Sequence, residues 1–315
     1  MISRLFVSAT NAYRRVLALA LRVAGPRVAY AYYRTMAGWF YRLFEPIRAH
    51  SERQCRAALG TRYPEEEVRA IARASFVHRS LNLADLMLAD GRMHAGTYQH
   101  YGGRIPEPYL GLLQAARDQH RPVIFVTAYY GPFDLLPLLL GYNGFSAAAV
   151  YRRHADPRYD AYRTQVRTRS GCEAVPIESA AQRLPVVLEA GGAVAILSDH
   201  DVPRGVPVQF LGLPTTTSRA VGLLAVQHAA VVVVAALRRT DQPFRFEFVV
   251  EDFFDAAAWA DAADPVVHVT QRYIAALERI VLADPAQYLW AHPRWRGENV
   301  KGDEASAPTP EGAGR

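Results

Sequence analysis

The chain has 315 residues, of which half are hydrophobic and 21% are charged. This is the composition of a globular protein, and it excludes general disorder and collagen-like or coiled-coil chains. The two cysteines, Cys55 and Cys172, are too few and too far apart in sequence for a disulfide framework or a cysteine-based zinc site, so they favour a reducing compartment.

Positive charge is concentrated at the N-terminus. Residues 1–48 contain eight arginines and one acidic residue, Glu45, which gives this segment a charge of +7 in a chain whose formal net charge is +6. The remainder therefore carries −1 and is close to neutral. Because the basic excess is confined to one segment that also has an apolar face, the sequence does not indicate a nucleic-acid partner.

Arginines and aromatic residues interleave along helical patterns in residues 1–48. The longest uncharged run, Leu5–Tyr13, has nine residues, whereas a membrane-spanning helix needs about 20. Arg22 and Arg27 interrupt the apolar region, so a secretory signal peptide is not expected. The pattern predicts an interfacial arm on an anionic membrane surface, with arginines and aromatic side chains at headgroup depth. The alternative is a pair of helices that pack on the domain and expose a basic face.

Regular elements follow the arm in chain order. Residues 64–90 and 107–119 are predicted to be helices, and an apolar run then starts an alternation of strands and helices. The predicted strands are 123–127, 146–151, 173–177, 193–198, 231–238 and 244–250, and the predicted helices among them are 133–140, 159–169, 180–190, 218–227 and 265–283. Alternation of this kind requires crossover connections, so we predict an α/β fold with a mostly parallel sheet flanked by helices. The predicted organisation is a basic, aromatic arm over 1–48, one α/β domain over 49–300 and a disordered tail over 301–315.

Polar side chains cluster where two predicted strands end, which is where sheets of this class bind ligands. The first cluster, residues 127–134, reads TAYYGPFD, and the second, residues 198–205, reads SDHDVPRG. The second cluster holds two carboxylates, a histidine and an arginine directly after an apolar strand. We interpret it as a substrate-contacting loop; the alternative is an Asx-turn with a solvated group of charges.

Four sequence blocks, in this order, resemble the late acyltransferases of bacterial lipid A biosynthesis, which belong to the wider glycerolipid acyltransferase superfamily. The blocks are VIFVTAYYGPFDLLP at 123–137, AVYRRHADPRYDAYRTQVRTRSG at 149–171, LEAGGAVAILSDHDVPRGVPVQFLGLPTTTSRAVGLLA at 188–225 and PAQYLWAHPRWRG at 285–297. The resemblance covers roughly residues 40–300.

This resemblance implies a glycerolipid-acyltransferase-like fold with a membrane-facing N-terminal arm. The implied reaction moves a fatty acyl chain from acyl carrier protein or acyl-CoA to a hydroxyl of a lipid or glycolipid acceptor. The implied location is the cytoplasmic face of the bacterial inner membrane, where the protein is peripheral or monotopic. No cofactor is expected, and two neighbouring carboxylates, Asp199 and Asp201, do not by themselves define a metal site.

The chain departs from the family at the catalytic signature, His-x4-acid, in which the histidine takes the proton of the acceptor hydroxyl and the carboxylate orients the imidazole. Asp134 matches the acid, but Tyr129 stands at the histidine position. None of the ten histidines in the sequence is followed five positions later by an acidic residue. A tyrosine with its ordinary pKa near 10 is a phenolate in about one molecule in a thousand at pH 7, so it is a poor substitute.

Three interpretations of this departure stay open. The base has moved to His200 or His154; or Asp134 is the base and Tyr129 donates a hydrogen bond to the acyl carbonyl; or the protein keeps the fold and binding site with little or no transferase activity. In the first case we expect the carboxylates on either side of His200 to favour its protonated form.

Further residues are assigned to substrate binding or to packing. Arg152 lies in a segment that contacts polar substrate groups in the family, and a guanidinium suits a phosphate. The residues predicted to bind substrate are Arg152, Arg169, Asp199, Asp201 and Arg204, with solvated charge as the alternative for Arg167 and Arg169. Four residues of the last block are expected to pack against the sheet or the membrane interface rather than to catalyse: Trp290, His292, Arg294 and Trp295. Tyr129, Asp134, Arg152 and the 199–204 loop are predicted to share one pocket at the carboxyl ends of the strands.

Overall fold

The computed structural model describes residue 17 and residues 19–295. Residues 19–24 are helical, and three longer helices follow: α1, Pro26–Leu43; α2, Glu45–Leu59; and α3, Glu65–Arg92. The predicted boundary at residue 48 falls inside α2, so the arm and the domain share a helix. The predictions for residues 1–16, for residue 18 and for the tail at 301–315 lie outside the described residues.

A six-stranded sheet forms the centre of the domain, with strand order β3–β2–β4–β1–β7–β8. All neighbouring strands pair in parallel except β7 and β8, which are antiparallel, so the predicted α/β fold with a mostly parallel sheet is confirmed. The strands are β1, Val123–Thr127; β2, Ala148–Tyr151; β3, Glu173–Pro176; β4, Ala193–Leu197; β5, Val206–Phe210; β6, Leu213–Thr217; β7, Val231–Arg239; and β8, Phe246–Phe254. The remaining helices are α4, Tyr109–Asp118; α5, Leu136–Tyr142; α6, Pro157–Thr168; α7, Ile177–Glu189; α8, Ala220–His228; and α9, Pro265–Ala283.

Both faces of the sheet are covered, as the fully buried strand β1 shows. Ile124 and Val126 belong to the same core cluster as Ile274 of α9. Phe125, whose side chain alternates to the other face, belongs to a second cluster with Leu88 of α3. A parallel sheet buried on both faces is expected to have uniformly apolar central strands, and the VIFVT run satisfies this.

The hairpin formed by β5 and β6 is a feature that the sequence analysis missed, because it assigned the segment after residue 198 to a loop. The burial of β5 alternates strictly, with Val206, Val208 and Phe210 buried and the two residues between them exposed. That period of two is the signature of a strand with one face on the core. The two strands pair antiparallel outside the main sheet, and this pairing fixes the loop that precedes them.

The arm packs on the domain and also exposes apolar side chains. Tyr30 of α1 is buried, and its hydroxyl donates to Asp85 of α3, which in turn accepts from Arg239 of β7 at 2.8 Å. On another part of the helix, Trp39 is 61% exposed and Leu43 is 71% exposed. None of the described helices is long and apolar enough to cross a bilayer.

Candidate active site

Tyr129 and His200 meet at the carboxyl ends of two neighbouring strands. β1 and β4 pair in register up to Thr127 and Leu197, so the residues that follow them leave the sheet at the same edge. The Nε2 atom of His200 lies 3.2 Å from the Tyr129 hydroxyl, and the two rings are edge-on with centroids 5.1 Å apart. The sequence predicted this proximity, and the structure brings the two side chains into hydrogen-bond contact.

The Tyr129 hydroxyl and Nε2 of His200 share one hydrogen bond, and the imidazole tautomer sets its direction. With the ring proton on Nδ1, Nε2 accepts from Tyr129. Burial is the largest influence on His200 and lowers its pKa; the charge of Asp199, the next largest, raises it, and the positive charge of Arg152 lowers it. Asp199 therefore favours the protonated form, as expected, but desolvation outweighs its effect on the pKa.

The aromatic surroundings of Tyr129 include a histidine from the C-terminal segment. The ring of His292 lies 4.8 Å from that of Tyr129 and 5.2 Å from that of His200, and Phe133 lies 5.0 Å from Tyr129 on another side. Burial, followed by the charge of Asp199, raises the pKa of Tyr129 to about 12. Tyr129 is therefore a neutral phenol at pH 7.

Sequence reasoning expected only packing from residues 290–295 and missed His292. The C-terminal segment pairs with the turn after β1: the Leu289 N–H donates to the Tyr129 carbonyl at 2.9 Å, and the Gly131 N–H donates to the Gln287 carbonyl at 3.0 Å. Gly131 has a φ of 54°, and a Cβ there would lie 1.9 Å from the Leu237 carbonyl oxygen, so this turn requires glycine. The signal available in the sequence was the resemblance of block 285–297 to the family. No local pattern reveals that this block lies beside β1.

Asp199 stabilises the turn that follows β1. It is 0% exposed, and its Oδ2 atom accepts from the Tyr129 backbone N–H at 2.9 Å. Its Oδ1 atom is buried and has no hydrogen-bond partner among the described residues. Asp199, predicted to bind substrate, is instead sealed from solvent and holds the backbone of Tyr129.

Asp201 and Arg204, both predicted to bind substrate, lie in the loop after β4. The Thr216 hydroxyl donates to Asp201 at 2.6 Å, which ties the loop after β4 to the β5–β6 hairpin. Arg204 is exposed and has a positive φ of 61°.

Asp134 is bound by two arginines of α6. Arg163 donates to both of its oxygens, at 3.0 and 3.2 Å, and Arg167 donates to Oδ1. Burial would raise the pKa of Asp134, but Arg167 and Arg163 lower it below its ordinary value. A carboxylate held in this way is a weak base, which argues against Asp134 as the proton acceptor.

The comparison with known families now bears on this site. The chain matches the family model of the bacterial lipid A biosynthesis acyltransferases over residues 10–297. It belongs to that family. A search of curated proteins gives no match. The match spans both strand ends that carry Tyr129 and His200 and the C-terminal segment that carries His292.

Within this lipid A biosynthesis acyltransferase family member, the other predicted residues divide into two groups. Arg152 is exposed at the end of β2, and its charge lowers the pKa of both Tyr129 and His200, so it lies near the pair. Arg169 instead donates to three backbone carbonyls in the last turns of α3 and to Asp90, which makes it a helix cap rather than a substrate ligand.

Local capping explains the position of the arginines on α6. Asp156 accepts from the backbone N–H groups of Arg158 and Tyr159, and Pro157 occupies the first helical position. His154 takes part in this turn: its ring accepts from the Asp156 N–H at 3.0 Å and packs on Tyr159. His154 is therefore held in the turn before α6, whereas His200 contacts Tyr129.

Proposed function

We propose that the protein transfers a fatty acyl chain from the thioester of acyl carrier protein or acyl-CoA to a hydroxyl of a lipid A-type glycolipid. The observation that carries the proposal is the hydrogen bond between Tyr129 and the neutral imidazole of His200 at the sheet edge. Family membership supports the acyl-transfer class, and the strand ends are where α/β sheets of this kind bind ligands.

His200 supplies the proton acceptor that the missing signature histidine would have supplied. Acyl transfer breaks the C–S bond of the thioester and forms a C–O bond, and the hydroxyl proton ends on the departing thiol. Because burial keeps His200 uncharged at neutral pH, Nε2 can accept the proton of the hydroxyl that attacks the acyl carbon, and return it to the sulfur. Such assistance accelerates a reaction by roughly 10²- to 10⁴-fold.

Positive charge beside the pair suits the phosphates of the substrates. Arg163 and Arg167 outnumber the single carboxylate that they bind, and Nε of Arg163 and Nη1 of Arg167 are buried with no hydrogen-bond partner among the described residues. The exposed Arg152 offers donors to a phosphate of the pantetheine arm or of the glycolipid, and the buried guanidinium groups of Arg163 and Arg167 add positive charge beside it.

The arm supports a position at an anionic membrane surface. Its exposed apolar side chains lie beside exposed arginines: Trp39, Phe40 and Leu43 are solvent-facing, and Arg34 and Arg42 are exposed on the same helix. Helices of this composition lie in the headgroup region with their apolar residues in the acyl boundary. The cytoplasmic face of the bacterial inner membrane is the location that we infer, because thioester donors are made in the cytoplasm.

An assay with purified full-length protein tests the proposal. Dodecanoyl-acyl carrier protein or dodecanoyl-CoA is offered with a lipid A precursor that has free hydroxyls, and the acylated product is measured by mass spectrometry. We expect product with the wild type, a loss of about 10²- to 10⁴-fold with His200→Ala, and an unchanged rate with the matched control His154→Ala. Equal rates for the wild type and His200→Ala would refute His200 as the base.

A second candidate is a catalytically impaired relative that binds lipid or carrier protein. The observation that favours it is Tyr129 at the position of the signature histidine, with Asp134 already bound by Arg163 and Arg167. On this hypothesis the wild type binds dodecanoyl-acyl carrier protein without turnover, and Tyr129→His raises transfer above background. Turnover by the wild type would exclude this candidate.

A further inference from the structure

We propose that Tyr129 is the nucleophile of a two-step reaction, in which it first takes the acyl chain as a phenyl ester and then passes it to the acceptor hydroxyl. The inference rests on the proposed acyl-transfer function and deepens it. It assigns to Tyr129 a covalent role instead of a passive replacement of histidine.

The geometry around Tyr129 is that of an activated nucleophile. Its hydroxyl lies 3.2 Å from Nε2 of His200, and the His200 ring is itself held by an edge-on contact with the ring of His292. A nucleophile, a base in hydrogen-bond contact and a third group that orients the base form the general arrangement of covalent catalysis, and tyrosine is one of the side chains that serve as nucleophiles.

The position of the Tyr129 hydroxyl fits a nucleophile better than a purely structural group. Tyr129 is partly exposed at the sheet edge, so a thioester can reach it, whereas the neighbouring Tyr130 is buried in the core. Because the Tyr129 hydroxyl occupies Nε2 of His200, an acceptor alcohol cannot reach that nitrogen directly while the contact persists. The hydroxyl that the base can deprotonate in this arrangement is that of Tyr129.

The chemistry of a phenol explains how the second step proceeds. With a pKa near 12, the free phenolate fraction of Tyr129 at pH 7 is about 10⁻⁵, so attack needs the concerted proton removal that His200 offers. A phenol is nevertheless a stronger acid than an aliphatic or sugar alcohol. The phenolate is therefore the better leaving group, and a phenyl ester transfers its acyl chain to such an alcohol readily.

Both steps balance without a further reactant. In the first, the Tyr129 oxygen attacks the thioester carbon, His200 receives the phenol proton, the C–S bond breaks, and the proton passes to the leaving thiolate. In the second, the acceptor hydroxyl attacks the phenyl ester carbon while His200 receives its proton, and the proton returns to the phenolate of Tyr129. The exposed Arg152, whose charge acts on both Tyr129 and His200, is placed to stabilise the oxyanion.

Trapping the ester tests the inference. Full-length protein is incubated with dodecanoyl-CoA and no acceptor. The reaction is quenched in acid, and the protein is analysed by intact-mass and peptide mass spectrometry. We expect the mass of one dodecanoyl group on Tyr129, released by hydroxylamine and discharged on addition of the lipid A precursor. Tyr129→Phe should not be labelled, whereas the matched control Tyr130→Phe should be labelled like the wild type.

The outcomes separate this inference from the proposed function. Transfer to the glycolipid with no label at any quench time, or label on a residue other than Tyr129, overturns the tyrosyl ester and leaves the acyltransferase function standing. Label on Tyr129 that does not discharge to the glycolipid supports the ester and overturns the proposed acceptor. If neither label nor transfer is observed, both the tyrosyl ester and the proposed acyltransferase function are overturned. If Tyr129→Phe fails to fold, the site of the label in the wild type decides the question.

Discussion

Two regions of the molecule contain the same three kinds of side chain, a tyrosine, an aspartate and arginine, and use them differently. Near the arm, Tyr30 donates to Asp85, which also accepts from Arg239. At the sheet edge, Tyr129 donates to an uncharged His200, and the nearby Asp134 is occupied by arginines of α6. The first tyrosine meets a buried carboxylate, and the second meets a neutral base.

The difference lies in burial and in what remains unsatisfied. The guanidinium of Arg239 has partners at all three nitrogens, since Asn82 and His78 complete the set that Asp85 begins. The cluster is sealed in the interior and joins α1 and α3 to β7. At the edge, Tyr129 and His200 are partly exposed, and one buried nitrogen each of Arg163 and Arg167 has no hydrogen-bond partner among the described residues. A saturated cluster stabilises the fold, whereas an unsaturated and accessible one is able to bind and react.

The largest effect is expected from a substitution of His200 in the cluster at the sheet edge. His200→Ala should lower kcat/KM by about 10²- to 10⁴-fold, with little change in the free energy of unfolding. Because burial lowers the pKa of His200 below 6.5, the base is neutral at pH 7, and wild-type kcat/KM should fall only as the pH drops through that lowered pKa. A pH–rate profile checks this, and an acid limb that persists in His200→Ala would assign it to another group.

The interior cluster should show the opposite behaviour. Asp85→Ala removes the carboxylate from a buried ion pair and leaves Arg239 uncompensated, so we expect a loss of about 3–5 kcal/mol in the free energy of unfolding. Urea denaturation measures this loss. A variant as stable as the wild type would show that the cluster does not hold α1 to the domain.

Asp134 sharpens the comparison through its pH dependence. The folded pKa of this carboxyl lies below its ordinary 3.8, so the carboxylate stabilises the fold above that pH and loses its contribution as the pH falls through the lowered value. Asp134→Asn leaves two buried arginines short of a partner and should cost about 1–3 kcal/mol at neutral pH. In urea denaturation, the gap to the wild type should close at acid pH, and a constant gap would contradict this.

The smallest expected effects concern the arm. Arg22 is anchored to α3 through Met87 and Asp90, so the arginines available for lipid are the exposed ones on α1, such as Arg34 and Arg42. Each replacement by glutamine should weaken binding to anionic vesicles by about 1 kcal/mol, as measured by sedimentation with liposomes. The matched control is Arg183→Gln, which changes an exposed arginine of α7, outside the arm. This variant should bind anionic vesicles like the wild type.

The sheet could be predicted because its strands are local patterns. The run VIFVT at β1 and the helix Pro265–Ala283 were predicted with their observed bounds, since an apolar run and an Asp–Pro start are visible without tertiary context. The β5–β6 hairpin was missed because its PVQFLGLP stretch offers prolines and glycine that suggest a loop. Alternation of burial, not composition, identifies it as a strand pair.

The site was less predictable because its contacts join distant parts of the chain. The meeting of Tyr129 and His200 followed from the expectation that neighbouring strands end at one edge. The burial of Asp199 beneath the Tyr129 backbone, the capping of α3 by Arg169 and the approach of His292 depend on tertiary packing that no spacing in the sequence encodes. Asp134 matched a family acid, yet its partners are the arginines of α6.

The most direct test compares the two tyrosines in one pair of variants. Tyr129→Phe and Tyr30→Phe each remove one hydroxyl, and dodecanoyl transfer from dodecanoyl-acyl carrier protein to a lipid A precursor is measured for both beside the free energy of unfolding. We predict that Tyr129→Phe loses transfer while keeping wild-type stability, and that Tyr30→Phe loses about 1–3 kcal/mol of stability, because Asp85 loses a donor, while keeping transfer. Full transfer activity in Tyr129→Phe would contradict the account.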